Sequence, residues 1–501
     1  MKLPKNFTTI GPELRPYQLE SFIFCLWQDS AGLLLDMGSG KSCVAINVAR
    51  YRIQTSGITK ILVVCPTSVM YNWVAEVHKW SEYKPVIIHD SREDRIEKIK
   101  SSGYQFGIIN YESLYPILRD LQVLNQVPQK KSLLLINNWK EVISRLNFGM
   151  IIFDESARFI KNHNTKRTFA SQLFADTVKY KLILTGTPIS NKPLDVWSQF
   201  RVLDGGETLG RDFYAFRNYF FFKHPPNKFG QFFIKKDLIP VLSSKIYKKC
   251  IRKKKEDVLK DLPPQIFQTI PIEMDSNLKN IYIDVKRQII SEIETMEGKT
   301  VLVISSILAK LMRLQQITAG FTVKDNKTVE LVHKPKLNAL LEMLEIIVEN
   351  EESAIVWCRF LKSIDMISQS LNRLKIKHLT MSGEDKDKEK YAKWKGFQTS
   401  DIPIFVGQVE SGGLGIELFK LNGVAEKTQH SIFYENTFSL DVREQAKARV
   451  HRIGQKSTCL YLDLVVKDSI DEMILNSLVQ KKSVADKILE VGVKKFLEVE
   501  K

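Results

Sequence analysis

Four short apolar stretches in the first half of the chain each run directly into a polar cluster, and this pattern narrows the possible folds more than any other feature. Leu33–Leu35 is followed by DMGSGKS (Asp36–Ser42), Ile61–Val64 by CPTS (Cys65–Ser68), Ile151–Phe153 by DESA (Asp154–Ala157) and Leu182–Leu184 by TGTP (Thr185–Pro188). Short apolar strands alternating with helical stretches are the pattern of a parallel α/β sheet. In open parallel sheets, ligands bind beyond the carboxyl ends of the strands. Four polar clusters at equivalent strand ends are hard to explain by chance, and point to one ligand site.

Phe106–Asn110 adds a strand candidate to this set, and Ala354–Trp357, Ile402–Gly407, Ser431–Tyr434 and Leu460–Val465 show the same pattern in the second half. From about Leu203 to Lys334 the sequence turns aromatic and basic, then helical through Asn277–Gln316. Gln122–Ser132 is polar and reads as a surface loop. The expectation is an α/β chain. One parallel-sheet lobe spans 1–202 and a second spans 335–466. A mainly helical, basic insertion and linker (203–334) lies between them, and 467–501 closes the chain.

With 501 residues and 44% hydrophobic content there is material for more than one core. No apolar run reaches the roughly 18–20 residues that span a bilayer. The opening MKLPKNFTTIGPEL lacks the apolar stretch of a signal peptide, so a soluble, cytoplasmic protein without a membrane partner is expected. The six cysteines are scattered with no CxxC pair, which argues against a zinc ribbon and predicts buried, inert thiols. The net charge is +17, and Arg217–Lys260 alone holds thirteen Lys/Arg against three Asp/Glu. A concentrated basic segment suits a phosphate backbone. The aromatics interleaved with it (Phe213 to Phe233) read more readily as core than as base-stacking platforms.

DMGSGKS opens a helix, predicted from Cys43 to Tyr51. Glycines there let successive N–H groups face an anion, and the helix dipole adds to the effect. Gly38, Ser39 and Gly40 would form the loop, Lys41 would reach the β/γ-phosphates, and the Ser42 hydroxyl would hold Mg²⁺. Adjacent carboxylates at the end of an apolar strand are costly without a cation. Asp154 is therefore read as a Mg²⁺ ligand and Glu155 as the group that positions or deprotonates the attacking water.

The second half supplies complementary parts. QVESGGLGIEL (Gln408–Leu418) places Gly412, Gly413 and Gly415 in a tight strand-to-helix turn, consistent with a close backbone approach to a ligand. VREQAKARVHRI (Val442–Ile453) predicts a helix with Gln445, Arg449 and Arg452 on one face. Two arginines on one stripe could meet γ-phosphate charge as arginine fingers do.

Taken in order, these segments resemble a Swi/Snf-family DNA translocase of the superfamily-two helicases, from about Leu14 to Ile488. LRPYQLE resembles the Q motif, which implies Gln18 at the adenine. DMGSGKS, CPTSVMYNWVAEVHKW, NYESL, DESA and LTGTPISN resemble its first-lobe motifs. RKKKEDVLKDLPPQ (Arg252–Gln265), KLMRLQQITAG and AIVWCRF are similar to segments of the family. SGGLGIEL and QAKARVHRIGQ resemble motifs V and VI, and SIDEMILNSLVQKKSVAD resembles a closing brace helix. The resemblance implies two RecA-like lobes using ATP and Mg²⁺. Lys41, Glu155, Arg449 and Arg452 would be catalytic, and Gly413 and Gln445 would join the nucleotide site. Thr67, Ser68, Asn110, Thr185, Thr187, Lys253, Lys254 and Ser411 would contact DNA or couple the sites.

Leu35 and Ser42 replace the commoner Gly and Thr of the phosphate loop, Ala157 stands where His is frequent, and Glu417 where Asn is usual. The motor occupies the whole chain, so a bare phage or bacterial type is expected. The implied function is a monomeric ATP-dependent translocase on double-stranded or branched DNA, with a protein partner possible. The alternatives are a strand-separating or branch-migrating helicase, for which the sequence shows no strand-splitting element, and a non-hydrolysing DNA-binding scaffold.

Overall fold

The computed structural model describes residues 2–124, 133–186, 193–223, 232–297, 304–324, 327–412, 418 and 429–480. The chain divides into two compact units, Met1–Lys260 and Asp261–Lys501. No helix among the described residues is long and apolar enough to cross a membrane.

The first unit contains β1 (Ser30–Leu35), β2 (Lys60–Cys65), β3 (Pro85–Ile87), β4 (Phe106–Asn110), β5 (Phe148–Asp154), β6 (Tyr180–Leu184), β7 (Phe221–Lys223), β8 (Phe232–Ile234) and β9 (Cys250–Lys253). Seven of these make one parallel sheet in the order β3-β4-β2-β5-β6-β1-β9. Every residue of β1, β2 and β4 is buried, as expected for strands covered on both faces. β1 and β9 approach closely because Gly32 has no side chain: a Cβ there would fall 2.4 Å from Cys250 Sγ. β7 and β8 form a separate antiparallel ribbon.

The second unit contains β10 (Gln265–Ile272), β11 (Phe321–Lys324), β12 (Lys327–Glu330), β13 (Ser353–Cys358), β14 (His378–Met381), β15 (Ile404–Gln408), β16 (Gln429–Phe433) and β17 (Cys459–Val466). Its parallel sheet runs β10-β17-β16-β13-β15-β14, and β11–β12 is a small antiparallel ribbon.

The segment 203–334 is not one body. Its aromatic and basic first part packs on the first unit: Phe216, Phe220, Phe221, Leu242, Ile246 and Cys250 share a hydrophobic cluster with the first sheet, which β9 extends. Its later part belongs to the second unit, where β10 pairs with β17. The helices Ser276–Glu297 and Ile304–Ala319 cluster there with the helix Ile470–Val479 through Leu278, Tyr282, Leu311, Leu314, Ile470 and Ile474. The polar stretch read as a loop, 122–132, is in part the end of the helix Tyr111–Leu124, and the remainder lies outside the described residues. All six cysteines are buried, and burial pushes the Cys43 thiol up to about 12.

The closing helix Ile470–Val479 is fastened by polar contacts. The Ser469 hydroxyl accepts from Asp471 N at 3.1 Å and donates to the Val466 carbonyl at 2.6 Å. The Asp471 carboxylate meets the Lys336 ammonium at 2.5 Å and the Thr318 hydroxyl at 3.1 Å, and both charged side chains are almost fully buried. Breaking a buried pair strands the surviving charge, at a typical cost of about 3–5 kcal/mol. Asp471→Ala should therefore destabilise the second unit by about that amount in urea unfolding. A loss below about 1 kcal/mol would mean that the pair behaves as a surface contact.

Candidate nucleotide-binding site

The site of the first unit is assembled from the carboxyl ends of β1, β2, β5 and β6. After β1 the chain turns through Gly38 (φ 78°) and Gly40 (φ 82°) into the helix Lys41–Ser56. Both glycines sit in the left-handed region, where a side chain would be strained. Ser39 is buried, and its hydroxyl donates to the Asp36 carbonyl at 2.5 Å. The Ser39 carbonyl accepts from Tyr17 Oη at 2.8 Å and Gln18 Nε2 at 3.2 Å. Gln18, expected at the adenine, thus ties the loop to the helix Pro16–Leu26. Lys41 Nζ donates to the Leu35 carbonyl at 2.9 Å, which keeps the ammonium over the loop.

Asp154 ends β5. Its Oδ2 accepts from the indole N–H of Trp73 at 2.9 Å, its Oδ1 accepts from Glu155 N at 3.0 Å, and its carbonyl accepts from Tyr111 Oη at 2.7 Å. Burial and the Glu155 charge push the Asp154 carboxyl up to about 6, while the Trp73 hydrogen bond and the Lys41 charge oppose the rise. Glu155 itself has φ 51°, a left-handed conformation uncommon outside glycine, and stands just before the short helix Ser156–Phe159. Backbone strain of this kind concentrates at functional sites. The Ser42 hydroxyl and the Asp154 carboxylate are hard oxygen donors. A desolvated carboxylate beside a second carboxylate suits a divalent cation, so these residues fit Mg²⁺.

Other expected residues fall around this centre. Thr185 is buried at the end of β6, and its N–H donates to the Leu33 carbonyl at 3.1 Å. Asn110 Nδ2 donates to Thr67 Oγ1 at 2.9 Å. The Ser68 hydroxyl is buried without a hydrogen-bond partner, unusual for a group that normally finds one. Lys253, expected at nucleic acid, pairs with Glu20 at 2.6 Å, and its neighbour Lys254 is exposed. Thr187 and Gly413 lie outside the described residues, and Ser411 lies in the four-residue helix Val409–Gly412. The sequence reading missed the brace behind the loop: Asp36 accepts from Lys255 N at 2.9 Å, and Asp36 N donates to the Lys253 carbonyl at 3.3 Å. It also missed Trp73 as the partner of Asp154, a contact between residues 81 apart that only the sheet brings together.

In the second unit the helix predicted over Val442–Ile453 ends early, at Leu440–Lys447. Beyond it, Arg449 N and Val450 N bond carbonyls three residues back, and the Tyr461 hydroxyl takes the Lys447 carbonyl at 2.9 Å. Gln445, Arg449 and Arg452 therefore do not share one helical stripe. Gln445 and Arg449 are buried and Arg452 is half-buried. Beside them runs a buried polar network that the sequence reading did not identify. Arg443 grips Asp463 with two bonds of 2.7 Å, and Asn436 Nδ2 donates to Asp463 at 2.8 Å. Gln315 Nε2 donates to the Asn436 carbonyl at 2.7 Å, and Arg359 Nη1 to Gln315 Oε1 at 3.0 Å. Arg359 N also donates to Glu435 at 2.8 Å, where burial pushes the carboxyl up to about 7 against the pull of Ser363 and Lys336.

A glycine loop opening a helix, with its lysine and a half-buried Asp-Glu pair on one parallel sheet, is the geometry of the P-loop class of nucleotide-binding proteins. Residues 17–320 match the model of the SNF2-related domain, and residues 335–454 match that of the helicase conserved C-terminal domain. The chain belongs to the SNF2-related family. Its relatives include the uncharacterized ATP-dependent helicase MG018 of Mycoplasma genitalium, 27% identical over 96% of this chain and 43% of that protein. Another is the probable ATP-dependent DNA helicase CHR12 of Arabidopsis thaliana, 26% identical over 96% of this chain and 42% of that protein. The chain thus spans about two fifths of the length of these relatives. A solved SWI2/SNF2 ATPase core of Sulfolobus solfataricus in complex with dsDNA is 25% identical, covering 98% of this chain and 96% of that one, with a TM-score of 0.43.

Trp73 offers a direct check of the site. A hydrogen bond to a charged group typically contributes about 1.5–3 kcal/mol. Trp73→Phe should therefore weaken Mg²⁺-dependent binding of a non-hydrolysable ATP analogue about tenfold or more, measured by calorimetry, with the fold intact. Unchanged affinity would show that the indole fills space without positioning Asp154.

Proposed function

We propose that the chain is a DNA-dependent ATPase that couples ATP hydrolysis to movement along double-stranded DNA. The observation that carries this reading is Asp154, half-buried at a strand end beside Glu155 and held by Trp73, in the unit that carries the Lys41 loop. Such an arrangement suits phosphoryl transfer, where positioning and charge stabilisation do most of the catalytic work. Relatives described as ATP-dependent helicases support the same reading.

In this account Lys41 leaves the Leu35 carbonyl for the β/γ-phosphates. Ser42 and Asp154 would hold Mg²⁺, which would supply charge neutralisation on the phosphates. Glu155 orients the water and accepts its proton. Arg449 and Arg452 of the second unit are the groups assigned to the charge that develops on the γ-phosphate. DNA meets the first unit through its backbone, with exposed Lys254 as a phosphate contact. Phosphate contacts of this kind carry no base information, so little sequence preference is expected.

A triplex-displacement assay tests the movement itself. The wild type should displace a third strand from duplex DNA when ATP is supplied. Glu155→Gln should bind ATP and DNA yet displace nothing, with hydrolysis lowered on the order of a hundredfold or more, as for loss of a general base. Near-normal hydrolysis in Glu155→Gln would remove Glu155 from its role. ATP hydrolysis without displacement in the wild type would remove translocation.

A further inference from the structure

Asp36 joins the phosphate loop to the basic segment that ends β9. Parallel pairing sets Leu35 opposite Lys253, so Asp36 and Lys254 leave the sheet side by side. Two bonds continue the pairing past the sheet. Asp36 N donates to the Lys253 carbonyl at 3.3 Å, and Lys255 N donates to Asp36 Oδ2 at 2.9 Å. The Lys253 carbonyl belongs to the peptide group on one side of Lys254, and the Lys255 N–H to the peptide group on the other. Asp36 thus holds Lys254 by both flanking peptides, while Lys254 itself is exposed. The second bond also has a local reason. Lys255 opens the helix Lys255–Val258, and Lys254 gives that helix no side-chain cap. A lysine carries no acceptor, so the Asp36 carboxylate takes one of the N–H groups that a helix start leaves without an intrahelical partner.

In the other direction Asp36 leads to Lys41. The Asp36 N–H and the Leu35 carbonyl are two ends of one peptide group, and that carbonyl accepts from Lys41 Nζ at 2.9 Å. A single peptide plane therefore stands between the ammonium meant for the nucleotide and the backbone beside Lys254. The plane is rigid, so its two ends turn together, and hydrogen bonds strung through it polarise one another. Further bonds close a ring. The Ser39 hydroxyl donates to the Asp36 carbonyl at 2.5 Å, Tyr17 and Gln18 hold the Ser39 carbonyl, and Glu20 of the same helix pairs with Lys253 at 2.6 Å.

Support for the loop could come from any part of β9. It is placed instead on the two peptides that present an exposed lysine. We propose that Asp36 is a positioning residue that links a DNA phosphate at Lys254 to the state of Lys41. Lys41 has two states: bonded to the Leu35 carbonyl, as here, or released to the nucleotide phosphates. A phosphate that draws Lys254 outward moves its flanking peptides, tilts the Leu35–Asp36 peptide and loosens the hold on Lys41. The nucleotide then binds better on DNA, and by linkage DNA binds better with nucleotide, by the same factor. The proposal rests on the DNA-motor reading for the identity of both ligands.

The test uses the full chain at fixed low salt with Mg²⁺. It measures the Kd of AMP-PNP with and without saturating duplex DNA, and the Kd of the duplex with and without AMP-PNP. In the wild type each ligand should tighten the other at least about fivefold. Asp36→Ala should bring both ratios below about twofold. Asp36→Asn, which keeps an oxygen within reach of Lys255 N, should retain the wild-type ratios. Lys254→Gln changes an exposed side chain and should lose the ratios as well. Asp36→Ala/Lys254→Gln should lose no more than either single change, as expected for two residues on one link. A purely structural Asp36 would weaken AMP-PNP equally with and without DNA and leave the ratio at its wild-type value, which would overturn the link. A wild-type ratio of one, or an undiminished ratio in Lys254→Gln, would also overturn it. AMP-PNP is not hydrolysed, so the ratios judge the link separately from the motor reading, which fails if duplex DNA does not stimulate ATP hydrolysis.

Discussion

Asp154 ends its strand half-buried in the first unit, partly desolvated and close to the charge of Glu155. An ionised carboxylate in such a place is unfavourable unless hydrogen bonds and cations compensate. The compensation comes from separate strand ends: the Trp73 indole from the helix after β2, the Lys41 charge from the loop after β1, and the Glu155 N–H from the next residue of the chain. Only a sheet in register delivers all three to one point, with Phe153 paired to Val64 and Asp154 to Leu184. A one-residue slip of β5 would turn the carboxylate to the other face. The fully buried β1, β2 and β4 hold that register, so the apolar core of the first unit is also what keeps its chemistry in place.

Much of this was legible in the residues themselves. Apolar runs that end in DMGSGKS, CPTS, DESA and TGTP located the strands, their ends and the common side of the sheet, because buried parallel strands have a simple signature. The chemistry that phosphate and Mg²⁺ require singled out Lys41, Ser42, Asp154 and Glu155, and the structure sets Lys41 and Asp154 close enough for the Lys41 charge to act on the Asp154 carboxyl. What stayed hidden depends on contacts distant in sequence. Glu20 claims Lys253 across more than two hundred residues, and Tyr461 helps end the helix at Lys447 that spacing alone extends to Ile453. Phe221 and Phe222 are neighbours of identical type, yet one is buried and the other exposed, a distinction only the pleat makes. The segment 203–334 misled because its change of composition suggested a separate body, whereas β9 and β10 each complete a sheet.

The second unit solves a different problem. Arg443, Asp463, Asn436, Gln315 and Arg359 form a continuous, largely buried chain of hydrogen bonds linking the ends of β13 and β16 and the middle of β17 to the helix Ile304–Ala319. Networks satisfied at every member are rigid, and half-satisfied ones are costly. Lys336 and Asp471 hold the closing helix to the same unit, so the second sheet and its helices are braced from two sides.

Steady-state ATP hydrolysis by the full chain, measured at fixed low salt without nucleic acid and then with duplex DNA, single-stranded DNA, branched DNA and RNA, tests the central claim most directly. The account predicts slow basal turnover and strong stimulation by DNA that contains duplex, abolished in Glu155→Gln. A folded protein that binds DNA but hydrolyses ATP at the same rate with and without it would contradict the account.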